Sequence, residues 1–259
     1  MAEYVQVGAV RTWYDVHGDG DPFVLLHGGM VDARWFEPNL GALAERFRVY
    51  TPDLRSHGHT PDVEGPITFH LMADDTIGFI ERVVGGPTDL GGHSVGAFVS
   101  LLVAMRRPDL VKRLVLMSCG FSKEGETVPD APWDVDMIVQ YLGPAYAEVS
   151  PDGAEHFRVV ATKIGELAAK EPHLTPAELA RVAHRTLLMV ADDDIVTLPH
   201  LVQMYGAMPN AELAVVPGTS HFMTQEKPEL VNALLLDFLG RDPVPTVAPI
   251  RRAQPDGED

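Results

Sequence analysis

Short apolar runs alternate with segments of helical spacing along this chain, and no other feature restricts its fold as strongly. Eight runs have the composition of strands, at residues 5–7, 10–16, 23–26, 48–50, 88–92, 111–117, 186–190 and 213–216. Between them, helices are indicated at residues 39–47, 71–84, 95–105, 198–205 and 229–239. Strands that alternate with helices form βαβ units. The sequence therefore predicts an α/β fold with a mostly parallel eight-stranded sheet and helices on both faces.

The alternation stops between residues 122 and 183, where the sequence is rich in Ala, Glu and Pro and has no buried-strand run. We expect a small helical cap there, inserted into a core of residues 1–121 and 184–240. The last segment, 241–259, is rich in proline and polar residues, which is typical of a flexible tail.

The net charge and the cysteine content limit which partners and which cellular compartment we expect. The chain has 20 Lys and Arg against 37 Asp and Glu, a formal net charge of −17. Such a surface repels phosphate backbones and anionic membranes, so we expect neither nucleic acid nor membrane as a partner. Cys119 is the one cysteine, and we find neither a secretion signal nor a membrane span. These observations favour a cytoplasmic protein, either a monomer or a homodimer.

The pentapeptide Gly92-His93-Ser94-Val95-Gly96 fits the pattern G-x-S-x-G between a predicted strand and a predicted helix. In that context a sharp strand-to-helix turn holds the serine in strained geometry with its hydroxyl outward. Small neighbours are needed because larger side chains would collide in the turn. The free N–H groups at the helix N-terminus favour developing negative charge. The motif predicts that Ser94 is a nucleophile.

A serine hydroxyl needs a base, and the base needs an acid to orient it. His221 follows the predicted strand 213–216, and three aspartates at 192–194 follow the strand 186–190. The carboxyl ends of parallel strands meet at the edge of a sheet where ligands bind. The motif His27-Gly28-Gly29-Met30 ends another strand there, and its N–H groups are suited to bind an oxyanion with the N–H of Val95.

These motifs resemble those of the alpha/beta-hydrolase fold superfamily, in its small capped esterase, lactonase and haloperoxidase-like group. The resemblance extends from Tyr4 to Gly240 and includes the loop at residues 52–60, where Ser56 stands in place of the usual glycine. It implies that Asp194 is the acid of the three, and that residues 122–183 form the cap. It also implies an acyl-enzyme mechanism with Ser94 and His221.

For this mechanism we expect the oxyanion to be bound by the N–H groups of Val95 and Gly29, with Met30 as the less favoured donor. The substrate pocket is expected between sheet and cap. Its predicted lining consists of Met30, Trp35, His93, Phe121, Trp133, Leu142, Val196 and Phe222.

Several functions are compatible with a serine at this position. The favoured one is hydrolysis of a carboxylic ester or lactone of a small to medium hydrophobic molecule. Perhydrolase or haloperoxidase-like activity and carbon–carbon bond hydrolysis remain alternatives, as does a small-molecule receptor that keeps the same residues. No metal and no cofactor are expected, because the histidines and aspartate at 57–62 lack the spacing of a metal cluster and no dinucleotide motif follows a strand.

Overall fold

An eight-stranded sheet forms the centre of the molecule in the computed structural model, which describes residues 2–127, 134–243 and 246–249. The strand order is β1-β2-β4-β3-β5-β6-β7-β8. The pairs β1/β2 and β2/β4 are antiparallel, and the remaining neighbours are parallel. The predicted mostly parallel α/β sheet is confirmed.

The strands are β1 Glu3–Val7, β2 Val10–His17, β3 Asp21–Leu26, β4 Phe47–Pro52, β5 Thr88–His93, β6 Val111–Met117, β7 Arg185–Asp193 and β8 Ala211–Ser220. The helices are α1 Glu37–Ala44, α2 Phe69–Phe79, α3 Val95–Arg106, α4 Val135–Val149, α5 Phe157–Lys170, α6 Pro176–Leu179, α7 Leu198–Ala207, α8 Met223–Glu226 and α9 Pro228–Leu239. None of the helices in these ranges is both long and apolar enough to cross a bilayer.

Alternating side chains of the strands enter two separate hydrophobic clusters, one on each face of the sheet. On β3, Phe23 and Leu25 join the cluster that contains Leu235 of α9. Val24 and Leu26 join the other cluster, with residues of α2, α3 and α7. A strand buried on both faces has apolar residues throughout, which is why the run at 23–26 lacks polar alternation.

Several element boundaries differ from the sequence prediction. Phe47 begins β4 instead of ending α1, which stops at Ala44. The predicted helix 71–84 is α2 followed by a π-helical turn at Ile80–Val84. Strands β7 and β8 run further than predicted, because their pairing continues to Asp193 and Ser220 beyond an irregularity in register. The pattern of apolar residues ends before these polar pairs, so it could not reveal them.

Residues 134–179 contain α4, α5 and α6, and charged side chains are among their contacts with the core. Arg34, in the loop after β3, forms an ion pair with Glu148 of α4 at 2.7 Å and donates to the carbonyl of Ala145 at 2.6 Å. Asp32 accepts two further hydrogen bonds from the same guanidinium group. The loop after β3 is thereby joined to α4.

A second contact of this kind centres on Asp62, in the loop after β4. Its carboxylate accepts hydrogen bonds from Lys163 of α5 at 2.7 Å, from His156 at 2.8 Å and from Ser56 at 2.5 Å. Ser56 has a left-handed φ of 67°, which explains why glycine is usual there. Burial acts to raise the pKa of Asp62, but the hydrogen bonds from Lys163, Ser56 and His156 outweigh it and lower the pKa to about 2.

We expect Asp62→Asn to lower the free energy of unfolding by about 1–2 kcal/mol at neutral pH. Because the pKa of Asp62 is about 2 in the folded protein and 3.8 without these contacts, its contribution is complete above the higher value. It is lost as the pH falls toward the lower one. Urea denaturation at a series of pH values measures the difference between wild type and variant. Asp19→Asn, at an exposed position, is the control, and a difference that grows on acidification would contradict the prediction.

Candidate active site

Five parallel strands end at one edge of the sheet, and each is followed by a residue of the candidate site. The residues that follow β3, β5, β6, β7 and β8 are His27, Ser94, Ser118, Asp194 and His221, respectively. These five strands are consecutive neighbours in the sheet. The topology of the sheet thus gathers residues that are far apart in sequence.

Ser94 joins β5 directly to α3 and has φ 53° and ψ −117°, a conformation that L-residues rarely adopt. The turn is tight because α3 packs against the backbone of β3. A Cβ atom on Gly96 would lie 2.3 Å from the carbonyl oxygen of Leu26, and one on Gly92 would lie 2.4 Å from the backbone of Gly96. Glycine is therefore required at both positions, as the motif predicts.

His221 and Asp194 form a hydrogen-bonded pair beside this turn. The Nδ1 atom of His221 lies 2.8 Å from Oδ1 of Asp194, whose side chain is fully buried. The hydroxyl of Ser118 donates to the other carboxylate oxygen at 2.6 Å. Asp192 instead accepts from the N–H of Thr219, and Asp193 is exposed. Of the three consecutive aspartates, Asp194 alone contacts His221.

The carboxyl of Asp194 is stabilised in its charged form. Burial acts to raise its pKa, but the hydrogen bond and charge of His221, together with the Ser118 hydroxyl, outweigh burial and lower it. An ionised acid at this position holds the histidine in the tautomer with a proton on Nδ1, which leaves Nε2 free to accept a proton. The geometry of the pair suits a histidine base that is oriented by an aspartate.

His93 holds the backbone of His221 in place through a hydrogen bond. Its Nε2 donates to the backbone carbonyl of His221 at 2.7 Å, and its ring stacks on Trp35 with centroids 5.3 Å apart. Burial, and then the charge of His221, lower the pKa of His93 to about 3. A neutral His93 ring with its proton on Nε2 keeps this hydrogen bond to the His221 carbonyl at neutral pH.

The loop after β3 lies against the start of α3. His27 donates from Nδ1 to the carbonyl of Gly28 at 2.7 Å and accepts the N–H of Leu54 at Nε2, which fixes the loop from below. Met30 has a left-handed φ of 66°. A Cβ atom on Gly29 would lie 3.0 Å from the Val95 side chain, so Gly29 and Val95 are in close proximity.

A cavity of about 360 Å³ contains both Ser94 and His221 in its wall. Among the described residues, the Ser94 hydroxyl forms no hydrogen bond with the His221 ring. Contacts of this kind often tighten only when substrate is bound. Of the predicted lining and oxyanion residues, the cavity includes Gly29, Met30, Trp35, His93, Val95, Leu142, Val196 and Phe222.

Two predicted pocket residues are not found in that wall. Phe121 is buried elsewhere and stacks on His200, with centroids 4.0 Å apart, because the chain leaves the cavity wall after Gly120. Trp133 lies outside the described residues, as does most of the predicted tail at 241–259.

Some residues of the cavity were not predicted from sequence. Ser118 follows a strand, as the other site residues do, and that position is a signal that could have identified it. Glu126, Ile138, Ile164 and Glu171 come from the helical segment and the loop before it. No motif surrounds them, so only the tertiary structure brings them to the site.

The sequence model of the alpha/beta hydrolase family matches residues 23–234 of the chain. This range includes every residue of the candidate site described above. The chain belongs to the alpha/beta hydrolase family. The prediction of this superfamily from the sequence motifs is confirmed, and the chain is a hydrolase of this fold.

Curated relatives match nearly the whole chain. One from Agrobacterium fabrum (strain C58), provisionally named carbamate hydrolase RutD, is 27% identical over 87% of this chain and 97% of the relative. The 2-(acetamidomethylene)succinate hydrolase of Mesorhizobium japonicum is 24% identical over 92% of this chain and 95% of its own length. Among solved structures, the enol-lactonase from Burkholderia xenovorans LB400 has a TM-score of 0.75 at 20% identity, with 92% and 100% of the two chains covered. This structural similarity shows the shared fold.

We expect Gly96→Ala to lower the free energy of unfolding by about 3 kcal/mol, the upper range for overpacking, because its Cβ meets backbone. Gly165→Ala in α5 is the matched control, since nothing lies within 4 Å of its added Cβ. That helical substitution is expected to stabilise by roughly 0.5–1 kcal/mol. Urea denaturation of both variants checks the prediction, and equal stabilities would contradict it.

We expect Asp194→Asn to slow covalent labelling of Ser94 by a fluorophosphonate by roughly a thousandfold or more, because the histidine loses its orienting acid. Asp193→Asn, the exposed neighbour, should leave the labelling rate unchanged. Mass mapping of the labelled peptide and the initial rate of labelling give the comparison. An equal loss in both variants would show that the acid loop as a whole is needed, and not the Asp194–His221 contact.

Proposed function

We propose that this chain is a serine hydrolase that cleaves a carboxylic ester or lactone through an acyl-enzyme. The observation that carries the proposal is the strained turn at Ser94 in the same cavity wall as the His221–Asp194 pair. Ser94 attacks the carbonyl carbon, and Nε2 of His221 takes the hydroxyl proton and passes it to the leaving alcohol. Water, deprotonated by the same histidine, then releases the acid.

The developing oxyanion is bound by the backbone N–H groups of Val95 and Gly29. Val95 begins α3, where N–H groups have no partner within the helix and the dipole favours negative charge. The close contact between Gly29 and the Val95 side chain supports this pairing of donors. Met30 is the alternative donor, and its left-handed φ is compatible with a loop that turns its N–H groups inward.

The residues of 122–183 act, in this proposal, as a cap that selects the substrate. Ile138, Leu142 and Ile164 present apolar surface to the cavity, which favours hydrophobic acyl or alcohol groups of small to medium size. The Mesorhizobium japonicum relative is named for a substrate with a succinate group. An anionic substrate does not suit this chain, because the described wall of its cavity contains glutamates and no lysine or arginine.

Carbamate or amide hydrolysis is the second candidate. The names of two relatives that match most of the chain favour it. The same residues would serve, since acyl transfer from nitrogen needs the same nucleophile and oxyanion donors, with His221 protonating the amine.

We expect purified protein to hydrolyse p-nitrophenyl esters of short to medium acyl chains and Ser94→Ala to lose activity by at least about a thousandfold. Lactones, carbamates and amides are assayed alongside, so that the leaving group that gives the highest kcat/KM identifies the reaction. Ser100→Ala, at a buried serine of α3 six residues after Ser94, is the control. Ester turnover that survives Ser94→Ala would refute the mechanism, and a single burst with a trapped adduct would indicate a receptor.

A further inference from the structure

Glu126 brings a carboxylate to the cavity that contains Ser94 and His221. The mechanism proposed above uses Asp194 as its acid and gives Glu126 no task. Among the described residues, the Glu126 carboxylate forms no hydrogen bond and no ion pair. An unpaired acid in the wall of a substrate cavity is a candidate for contact with the substrate itself.

The backbone of Glu126 is firmly anchored, so its side chain is presented in a defined place. Glu126 pairs with Val196 in an antiparallel bridge, and Thr127 donates to the carbonyl of Ile195 at 2.6 Å. On the other side, Thr197 donates to the carbonyl of Gly125 at 2.8 Å. These bonds attach Glu126 to the loop that carries Asp194.

The surroundings of the carboxylate are poor in positive charge. Most of the cavity wall is apolar, and its described residues include Glu171 as a second acid but no lysine or arginine. Residues 128–133, outside the described ranges, have the sequence VPDAPW and so contain no basic residue. Lys123, on the same loop, donates to the carbonyl of Ala169. Burial raises the pKa of Glu126, and the charges of His221 and Lys123 counteract this to a smaller extent.

Burying a carboxylate without a partner costs free energy, and a cationic group next to it offsets that cost. The net charge of −17 also attracts cations toward the molecule. A substrate with a positive charge at one end would complete the cavity, with its apolar part against Ile138, Leu142 and Ile164 and its carbonyl at Ser94.

We propose that Glu126 is a specificity-determining residue that selects substrates bearing a positively charged nitrogen. The inference deepens the proposed hydrolase function and rests on it for the position of the scissile bond. Neutral esters of the same shape are accepted less well, and anionic esters are disfavoured.

Two ethyl esters of matched shape test the proposal. One is the ester of γ-trimethylammoniobutyric acid, and the other carries a tert-butyl group in place of the trimethylammonium group. Charge is the main difference between them, and it does not change with pH. Hydrolysis by the wild type gives kcat/KM for each ester, and calorimetry with the Ser94→Ala variant gives the affinity of each ester without turnover.

The cationic ester should be preferred by about tenfold or more, both in kcat/KM of the wild type and in affinity for the Ser94→Ala variant. Glu126→Gln should abolish that preference by weakening the cationic ester alone, because glutamine keeps the shape and the backbone anchors. Glu124→Gln, two residues away and exposed, should retain the preference. Unchanged melting temperatures show that the variants are folded.

Equal treatment of the two esters by the wild type overturns the inference, and so does a preference that Glu171→Gln removes and Glu126→Gln does not. A Glu126→Gln variant that loses activity on both esters equally would assign Glu126 to the chemistry instead of to specificity, and would also overturn the inference.

If neither ester is hydrolysed but the Ser94→Ala variant binds the cationic one more tightly, the inference stands and ester hydrolysis fails. If both are hydrolysed without preference, the hydrolase proposal stands and this inference fails.

Discussion

The close approach of α3 to β3 is the contact on which the site depends. Gly96 lies against the carbonyl of Leu26, and no larger residue fits between them. This packing forces the chain to leave β5 and enter α3 within a single residue, Ser94, which takes up the strain. The same approach brings Val95, the first residue of α3, close to Gly29 in the loop after β3. The strained backbone of Ser94 and the position of the α3 N-terminus beside the loop after β3 thus arise from one packing constraint.

The sheet then supplies the other groups through its parallel strands. Pairing of Asp193 with Ser220 at the ends of β7 and β8 brings Asp194 and His221 next to each other. Buried neighbours hold this pair in place: Ser118 binds the acid, and His93 binds the backbone of the histidine. Since a buried charge without partners is costly, each of these hydrogen bonds also stabilises the fold. Stability and reactivity of the site share the same contacts.

The helical segment adds apolar residues to the cavity that contains Ser94 and His221. Ion pairs of Arg34 with Glu148 and of Asp62 with Lys163 join it to loops after β3 and β4. Its apolar side chains, with Glu126 on the preceding loop, line the cavity that also contains Ser94. Because one fold supports many reactions, the substrate of this chain must be argued from the residues of its cavity wall.

The sequence by itself determined the sheet class, the turn at Ser94, the glycines around it and the order of serine, acid and histidine. These are local properties, set by strand and helix periodicity and by a turn that admits only small neighbours. The resemblance already assigned Asp194, and the tertiary structure supplied its contacts with His221 and Ser118, since register between two strands is not encoded in either one alone. The tertiary structure also decided that Phe121 stacks on His200 and that Glu126 lines the cavity. Those placements depend on packing between segments far apart in the chain, and no local pattern of residues records them.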